Sequence, residues 1–220
     1  MADFQNERQA MVEACQQLVE QGYFAATGGN LAVRAGDGHL LVTPSALEYR
    51  LIEPADIAVL RFADGVQVGG RQPPTVERQL HLRLLRARPD KRVSLHTHQP
   101  AASAVAVLHE RLAWRQGVAG AIYGRHVGLV PYWPSGTSFL AKALARHLEP
   151  EVHCYLLASH GVICAAPDLP TALHLVAEIE ASASAYLYRL IECNPHCEAA
   201  LKRQVLERLA IRPREATLHE

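Results

Sequence analysis

Two turn-linked pairs of β-like runs in the first third of the chain restrict its fold more than any other feature. Leu31-Ala32-Val33-Arg34 and Leu40-Leu41-Val42-Thr43 flank Gly36-Asp37-Gly38, and Ile57 to Phe62 and Val66 to Val68 flank Ala63-Asp64-Gly65. Turns this short join antiparallel neighbours, because a parallel partner needs a crossover of about a dozen residues or more. Helical periodicity surrounds them. Met11, Ala14, Cys15, Leu18 and Val19 recur at helical spacing ahead of Gly22, and Val76, Leu80, Leu84 and Leu85 do so again up to Pro89. There follow a strand over Val93 to His98, a helix from Pro100 to about Leu108, and a β-like patch at Val127 to Tyr132. A helix from about Thr137 to Leu148, strands around Tyr155 to Leu157 and Val162 to Cys164, and a long amphipathic helix opened by Asp168 and Pro170 complete the order. This mixture predicts an α/β fold whose sheet is largely antiparallel or mixed and covered by helices, not a strict βαβ alternation. No repeat, linker or low-complexity tract divides the 220 residues, so a single domain is expected.

Charge and cysteine usage exclude several classes. With 22 Lys+Arg against 22 Asp+Glu the formal net charge is zero, which supplies no field for a polyanion or an anionic membrane surface. No run approaches the length of a membrane-spanning helix, and the opening residues do not read as a signal peptide. Cys15, Cys154, Cys164, Cys193 and Cys197 are scattered and contain no C-x-x-C pair, as expected for a reducing, cytoplasmic setting. Cys193-Asn194-Pro195-His196-Cys197 lacks the second half of a metal knuckle, and Arg83, Arg86, Arg88, Lys91 and Arg92 read as a solvated helix end.

The sharpest chemical signal is Ser94-Leu95-His96-Thr97-His98. On a strand, side chains alternate between faces, so His96 and His98 share one and Leu95 and Thr97 the other. Two converging imidazoles are a start for zinc or another divalent metal, with solvent-facing or capping histidines as the plainer alternative. His160, followed by Gly161 where a strand breaks, is a candidate third ligand or a turn histidine bonded to its own loop. Glu77 reads either as a carboxylate complementing the dipole of the helix it opens or as an acid/base beside a metal. Asn30, in Thr27-Gly28-Gly29-Asn30, either caps a turn or donates its amide to a substrate oxyanion or phosphate.

Taken together, Thr27-Gly28-Gly29-Asn30-Leu31-Ala32-Val33-Arg34, Leu41-Val42-Thr43-Pro44-Ser45, Pro74-Thr75-Val76-Glu77 with His81, His96-Thr97-His98 and Ser159-His160-Gly161 resemble the class II aldolase/adducin family, of the L-fuculose-phosphate aldolase kind. The likeness runs from about residue 6 to about residue 192. It implies a three-layer α/β/α sandwich around a mixed, mostly antiparallel sheet, as one domain over residues 1–220 with a C-terminal tail beyond the core. It also implies a cytoplasmic homotetramer in carbohydrate metabolism, with active sites between subunits and a small-molecule substrate. By matching positions, His96, His98 and His160 look like the ligands of a divalent metal, zinc foremost with manganese or cobalt as alternatives. Glu77 looks like the catalytic acid/base, and Asn30, Ser45 and Thr75 fall where relatives hold a substrate phosphate.

The implied activity is retro-aldol cleavage of a small sugar-derived or hydroxy-carbonyl compound through a metal-bound enediolate. Dehydratase, decarboxylase or epimerase chemistry on the same site is the alternative, and a non-catalytic adducin-like oligomer a further one. Retention of all three histidines favours the enzyme, and Glu77 in place of the epimerases' Asp favours the lyase. Two positions depart from the family pattern: Ala46 stands where glycine is common, and Val76 replaces a hydroxyl residue. A donor to a charged oxygen contributes about 1.5–3 kcal/mol, so the loss at Val76 bears directly on phosphate recognition. Tyr123 and Tyr132 lie near the place of the family's tyrosine proton donor, but neither aligns with it.

Overall fold

Both expected hairpins form, and they make up one half of a single sheet. The computed structural model describes residues 4–24, 28–36, 38–117, 123–209 and 211; Thr27 of the glycine loop, Asp37 of the first turn and the tail beyond 211 lie outside the described residues. Helix α1 (Gln5–Glu20) leads into β1 (Asn30–Ala35) and β2 (His39–Val42), then β3 (Ala58–Arg61) and β4 (Gln67–Gly69). There follow α2 (Arg78–Ala87), β5 (Val93–Thr97), α3 (Pro100–Val107), β6 (Val127–Val130), α4 (Ser138–His147), β7 (Cys154–Leu157), β8 (Gly161–Ala166) and the long α5 (Leu169–Glu192). A further helix, α6 (Ala199–Arg208), stands where the sequence suggested only a tail; it buries little besides Leu206, which is why no apolar stripe betrayed it.

The eight strands run in the order β4-β3-β2-β1-β5-β8-β7-β6. Every neighbouring pair is antiparallel except β6 and β7, so the sheet is mixed and mostly antiparallel, with helices on both sides. The hairpin register, Ala35 opposite His39 and Val33 opposite Leu41, follows from burying Leu31, Val33 and Leu41 on one face. Asp168 caps α5 by accepting from the Thr171 amide, with Pro170 in the first turn.

The two faces of the sheet are packed differently. On one, residues of β1, β5 and β8 such as Leu31, Leu95 and Val162 merge with α1, α3 and α5 into one apolar cluster. On the other, α2 and α4 cover two separate clusters, one holding Tyr155, Leu157 and Ile163 with Leu80, Leu84 and Leu144, the other Ala32, Leu40 and Leu60 with Leu82 and Leu85. Between these two clusters β1 and β5 present polar residues: Asn30 pairs across the strands with His96, and Ser94 lies two residues before it on the same face. The basic stretch at the end of α2 is structural, since Arg86 donates to the Phe62 and Ala63 carbonyls and Arg88 to those of Glu149 and Val152. No helix among the described residues is long and apolar enough to cross a membrane.

Candidate active site

The polar gap on the α2 face is where the predicted chemistry collects. His96 lies within β5 and His98 one residue past its end, and β8 is the neighbour of β5, so the turn between β7 and β8 delivers His160 beside them. The three side chains each offer a ring nitrogen within 4.8 Å of the others, and the Nε2 atoms of His96 and His98 are 2.9 Å apart. Among the described residues this is the group of three or more histidine, cysteine or acidic side chains able to hold a metal ion; Cys193, His196 and Cys197 form none.

Local structure holds these rings in place. His96 is fully buried and its Nδ1 donates to the Val162 carbonyl at 2.7 Å, which leaves the Nε2 lone pair facing the site, as a metal ligand requires. Gly161 lets β8 come close: a Cβ there would lie 2.5 Å from the Thr97 carbonyl oxygen and 2.7 Å from Cδ2 of His98. The preceding turn places Ser159 in the left-handed region at φ 54°, and its hydroxyl is 2.7 Å from Nε2 of His109. Burial pushes all three imidazoles below their usual pKa against the opposing pull of Glu77, so the rings stay neutral, the form that coordinates a cation. Donor type, protonation and convergence therefore fit a divalent ion.

Glu77 completes the cluster. It sits at the N-cap of α2, yet its carboxylate accepts nothing from the helix's own amides. Instead Oε2 accepts from Asn30 Nδ2 at 2.8 Å and Oε1 from Ser135 Oγ at 2.7 Å, with His96 Nε2 at 3.3 Å and His160 Nε2 at 3.6 Å. A carboxylate kept only to complement a helix dipole would not be 6% exposed and aimed at two imidazoles. Burial alone would raise its pKa, but His96 and the hydrogen bonds from Asn30 and Ser135 outweigh it and hold the group below the usual carboxylate range.

Ser45 and Thr75 are brought together by pairing of their segments: the Ser45 amide donates to the Pro73 carbonyl and the Thr75 amide to Thr43, both at 3.0 Å. Thr75 Oγ1 also accepts from the Glu77 amide. Ala46 keeps a left-handed φ of 58°, the conformation glycine favours, so the loop retains its shape at a cost of about 1–2 kcal/mol. Asn30 departs from its simplest reading, since its amide faces Glu77. Tyr123 packs against Trp114 and His174 on the opposite side of the sheet, whereas Tyr132 is exposed on the strand-end loop that also carries Ser135. Ser135 was missed because an irregular loop has no period to read. His81 and Ser94 did carry a signal: His81 is one helical turn from Glu77, and Ser94 shares a strand face with His96.

A family model described as the Class II Aldolase and Adducin N-terminal domain matches residues 9–187. The chain belongs to this family. Among class II aldolase relatives, it is 33% identical over 179 residues to the 5-methylthioribulose-1-phosphate/5-deoxyribulose-1-phosphate aldolase of Rhodospirillum rubrum, covering 81% of this chain and 79% of that protein. It is 32% identical over 186 residues to the 5-deoxy-D-ribulose 1-phosphate aldolase of Bacillus thuringiensis, covering 83% of this chain and 84% of that protein. A solved structure titled L-fuculose 1-phosphate aldolase superposes with a TM-score of 0.77 at 28% identity, over 92% of this chain and 95% of that one. The fold is thus that of the class II aldolases, and the protein is a class II aldolase-type lyase of a metal-dependent family.

Proposed function

We propose that the protein cleaves a small phosphorylated ketose by a retro-aldol reaction, with His96, His98 and His160 holding a divalent ion, zinc foremost, and Glu77 moving the proton. The observation that carries this reading is the convergence of three neutral imidazoles on one ionised carboxylate that its own helix does not use. The ion, when bound, supplies a Lewis-acid pull on the substrate's carbonyl and hydroxyl oxygens. The substrate hydroxyl gives its proton to Glu77 as the carbon–carbon bond breaks, the bond's electron pair passes into an enediolate, and an aldehyde departs. Glu77, having taken up a proton, delivers it to the enediolate carbon. Before substrate arrives, Glu77 is near enough to the histidines to serve as a further ligand.

Asn30, Ser45 and Thr75 are assigned to the substrate's anionic group, Asn30 through the Nδ2 hydrogen that Glu77 does not take. Support comes from the pairing of the Ser45 and Thr75 segments and from a cleft of about 630 Å³ that Ser45, Val76 and Arg78 line. Arg78 offers a cation near the hydroxyl that Val76 lacks, and the names of the Rhodospirillum and Bacillus relatives support a ketose 1-phosphate. Family likeness supports a cytoplasmic homotetramer acting in carbohydrate metabolism, as one domain over residues 1–220.

Elemental analysis of the purified protein tests the reading first, and about one divalent ion per chain is expected. NMR product analysis over ketose 1-phosphates, unphosphorylated ketoses and hydroxy-keto acids should then show aldehyde release from the phosphorylated class. Glu77→Gln is expected to lose about 10²–10⁴ in kcat. A metal-free protein as purified, or full activity in His96→Ala, would overturn the assignment.

A further inference from the structure

One buried titratable side chain in this region has no part in the reaction as described. His81, fully buried on α2, stands between Ser94 and Asn30: its Nδ1 is 2.7 Å from Ser94 Oγ and its Nε2 2.6 Å from Asn30 Oδ1. Both ring nitrogens are therefore engaged, and His81 is not a fourth histidine for the metal.

The direction of these bonds follows from what each group can give. An ionised Glu77 only accepts, so Asn30 must turn its Nδ2 toward Oε2, at 2.8 Å. That leaves Asn30 Oδ1 as an acceptor facing His81, so the proton between them sits on His81 Nε2. A neutral imidazole with its proton on Nε2 has a lone pair on Nδ1, which is satisfied only if the Ser94 hydroxyl donates to it. Proton donation thus runs one way, from Ser94 to His81 to Asn30 to Glu77. The opposite imidazole tautomer would set lone pair against lone pair at Asn30 and favour the flipped amide, which would point a carbonyl oxygen at the Glu77 carboxylate.

We infer that His81 is a positioning residue that acts through Asn30: its Nε2 proton locks the Asn30 amide with its nitrogen toward Glu77 and so aims the proposed acid/base. This rests on the reading of Glu77 given above. Ser94, two residues from His96 on β5, sets the tautomer, which ties the orientation of the carboxylate to the same strand that positions a proposed metal ligand.

Two measurements test it. In the zinc-loaded, ¹⁵N-histidine-labelled protein, long-range ¹H–¹⁵N spectra should show His81, identified by its disappearance in His81→Gln, as the Nε2–H tautomer; an Nδ1–H form would overturn the inference without any substrate being needed. Kinetics with 5-deoxy-D-ribulose 1-phosphate as probe compare His81→Gln, whose amide nitrogen can stand in for Nε2–H, with His81→Asn, which is too short to donate to Asn30. The Asn variant should lose about 10–100-fold in kcat with KM and zinc content unchanged, while the Gln variant stays within about threefold of the parent. Equal kcat in the two variants, or a loss confined to KM or zinc content, would overturn it. If the Asn variant does not fold, Ser94→Ala replaces it, with kcat expected to fall about 3–10-fold at unchanged KM; parent-level kcat there would also overturn it. Glu77→Gln measured alongside separates the two ideas. An active Glu77→Gln ends the acid/base assignment and the positioning role with it, whereas an inactive one beside equal His81 variants ends the positioning role alone.

Discussion

The two faces of the central sheet do different work with the same strands. Toward α1, α3 and α5 the sheet presents one unbroken apolar surface, and toward α2 and α4 the apolar surface is split in two by Asn30, Ser94 and His96. A single strand serves both: Val93 and Leu95 of β5 belong to the continuous core, while Ser94 and His96 belong to the polar gap. Burying those polar groups costs stability unless each finds a partner. Here they do: Asn30 in Glu77 and His81, Ser94 in His81, and His96 in the Val162 carbonyl of β8. The split face gives up part of its apolar contact to gain a defined geometry, and the continuous face supplies the stability that permits this.

Substitutions that respect one face and injure the other should pull stability and chemistry apart. The largest effect on stability is expected at Leu95→Ala, which removes a fully buried side chain from the continuous core and should cost about 2–5 kcal/mol in urea unfolding, while divalent-metal content per folded chain stays unchanged. Loss of the divalent metal from a still-folded Leu95→Ala protein would show that the faces are not separable. Gly161→Ala reverses the pattern. Its Cβ would meet the Thr97 carbonyl at 2.5 Å and the His98 ring at 2.7 Å, so about 1–3 kcal/mol of overpacking is expected together with a larger proportional loss of zinc affinity, read by competition with a chelating dye. Unchanged zinc affinity there would mean that the ring positions do not depend on the close approach of β8.

A third effect on the split face is a pH dependence. Burial lowers the His81 pKa to about 4, with the Glu77 charge opposing it in part, against about 6.5 in an unfolded chain. The folded protein therefore favours neutral His81, and between those values the unfolded chain binds more protons. The contribution of His81 is fully present above about pH 6.5 and is lost progressively as the pH falls toward about 4. Urea unfolding from pH 7.5 to 4.5 should show a shallower acid-side slope in His81→Gln than in the parent, and identical slopes would contradict the assignment.

How much of this was legible in the sequence depended on whether the signal was local. The period-2 rule put His96 and His98 on one face, and turn residues fixed the register of the β1–β2 hairpin, because both are decided within a few residues. The order β1-β5-β8 is not local, so the meeting of His160 with His96 followed from family likeness and not from spacing. Asn30 and Glu77 could each be suspected, but the bond between them joins residues 47 positions apart and no pattern announces it. Ser135, in a loop, left no trace, and α6 went unread because it hides almost nothing from water.

His96 lies in β5 and His160 immediately precedes β8, and these two strands stand fifth and sixth in an eight-stranded sheet and are hydrogen-bonded on both edges. Fraying starts at termini and sheet edges, and amides in the middle of a sheet exchange with solvent only when the whole domain opens. The two strands on which the site is built therefore have no cheaper way of loosening than global unfolding. Breathing motions at β4 or β6 can come and go without disturbing these two strands, and the foundation under His96 lasts as long as the fold itself.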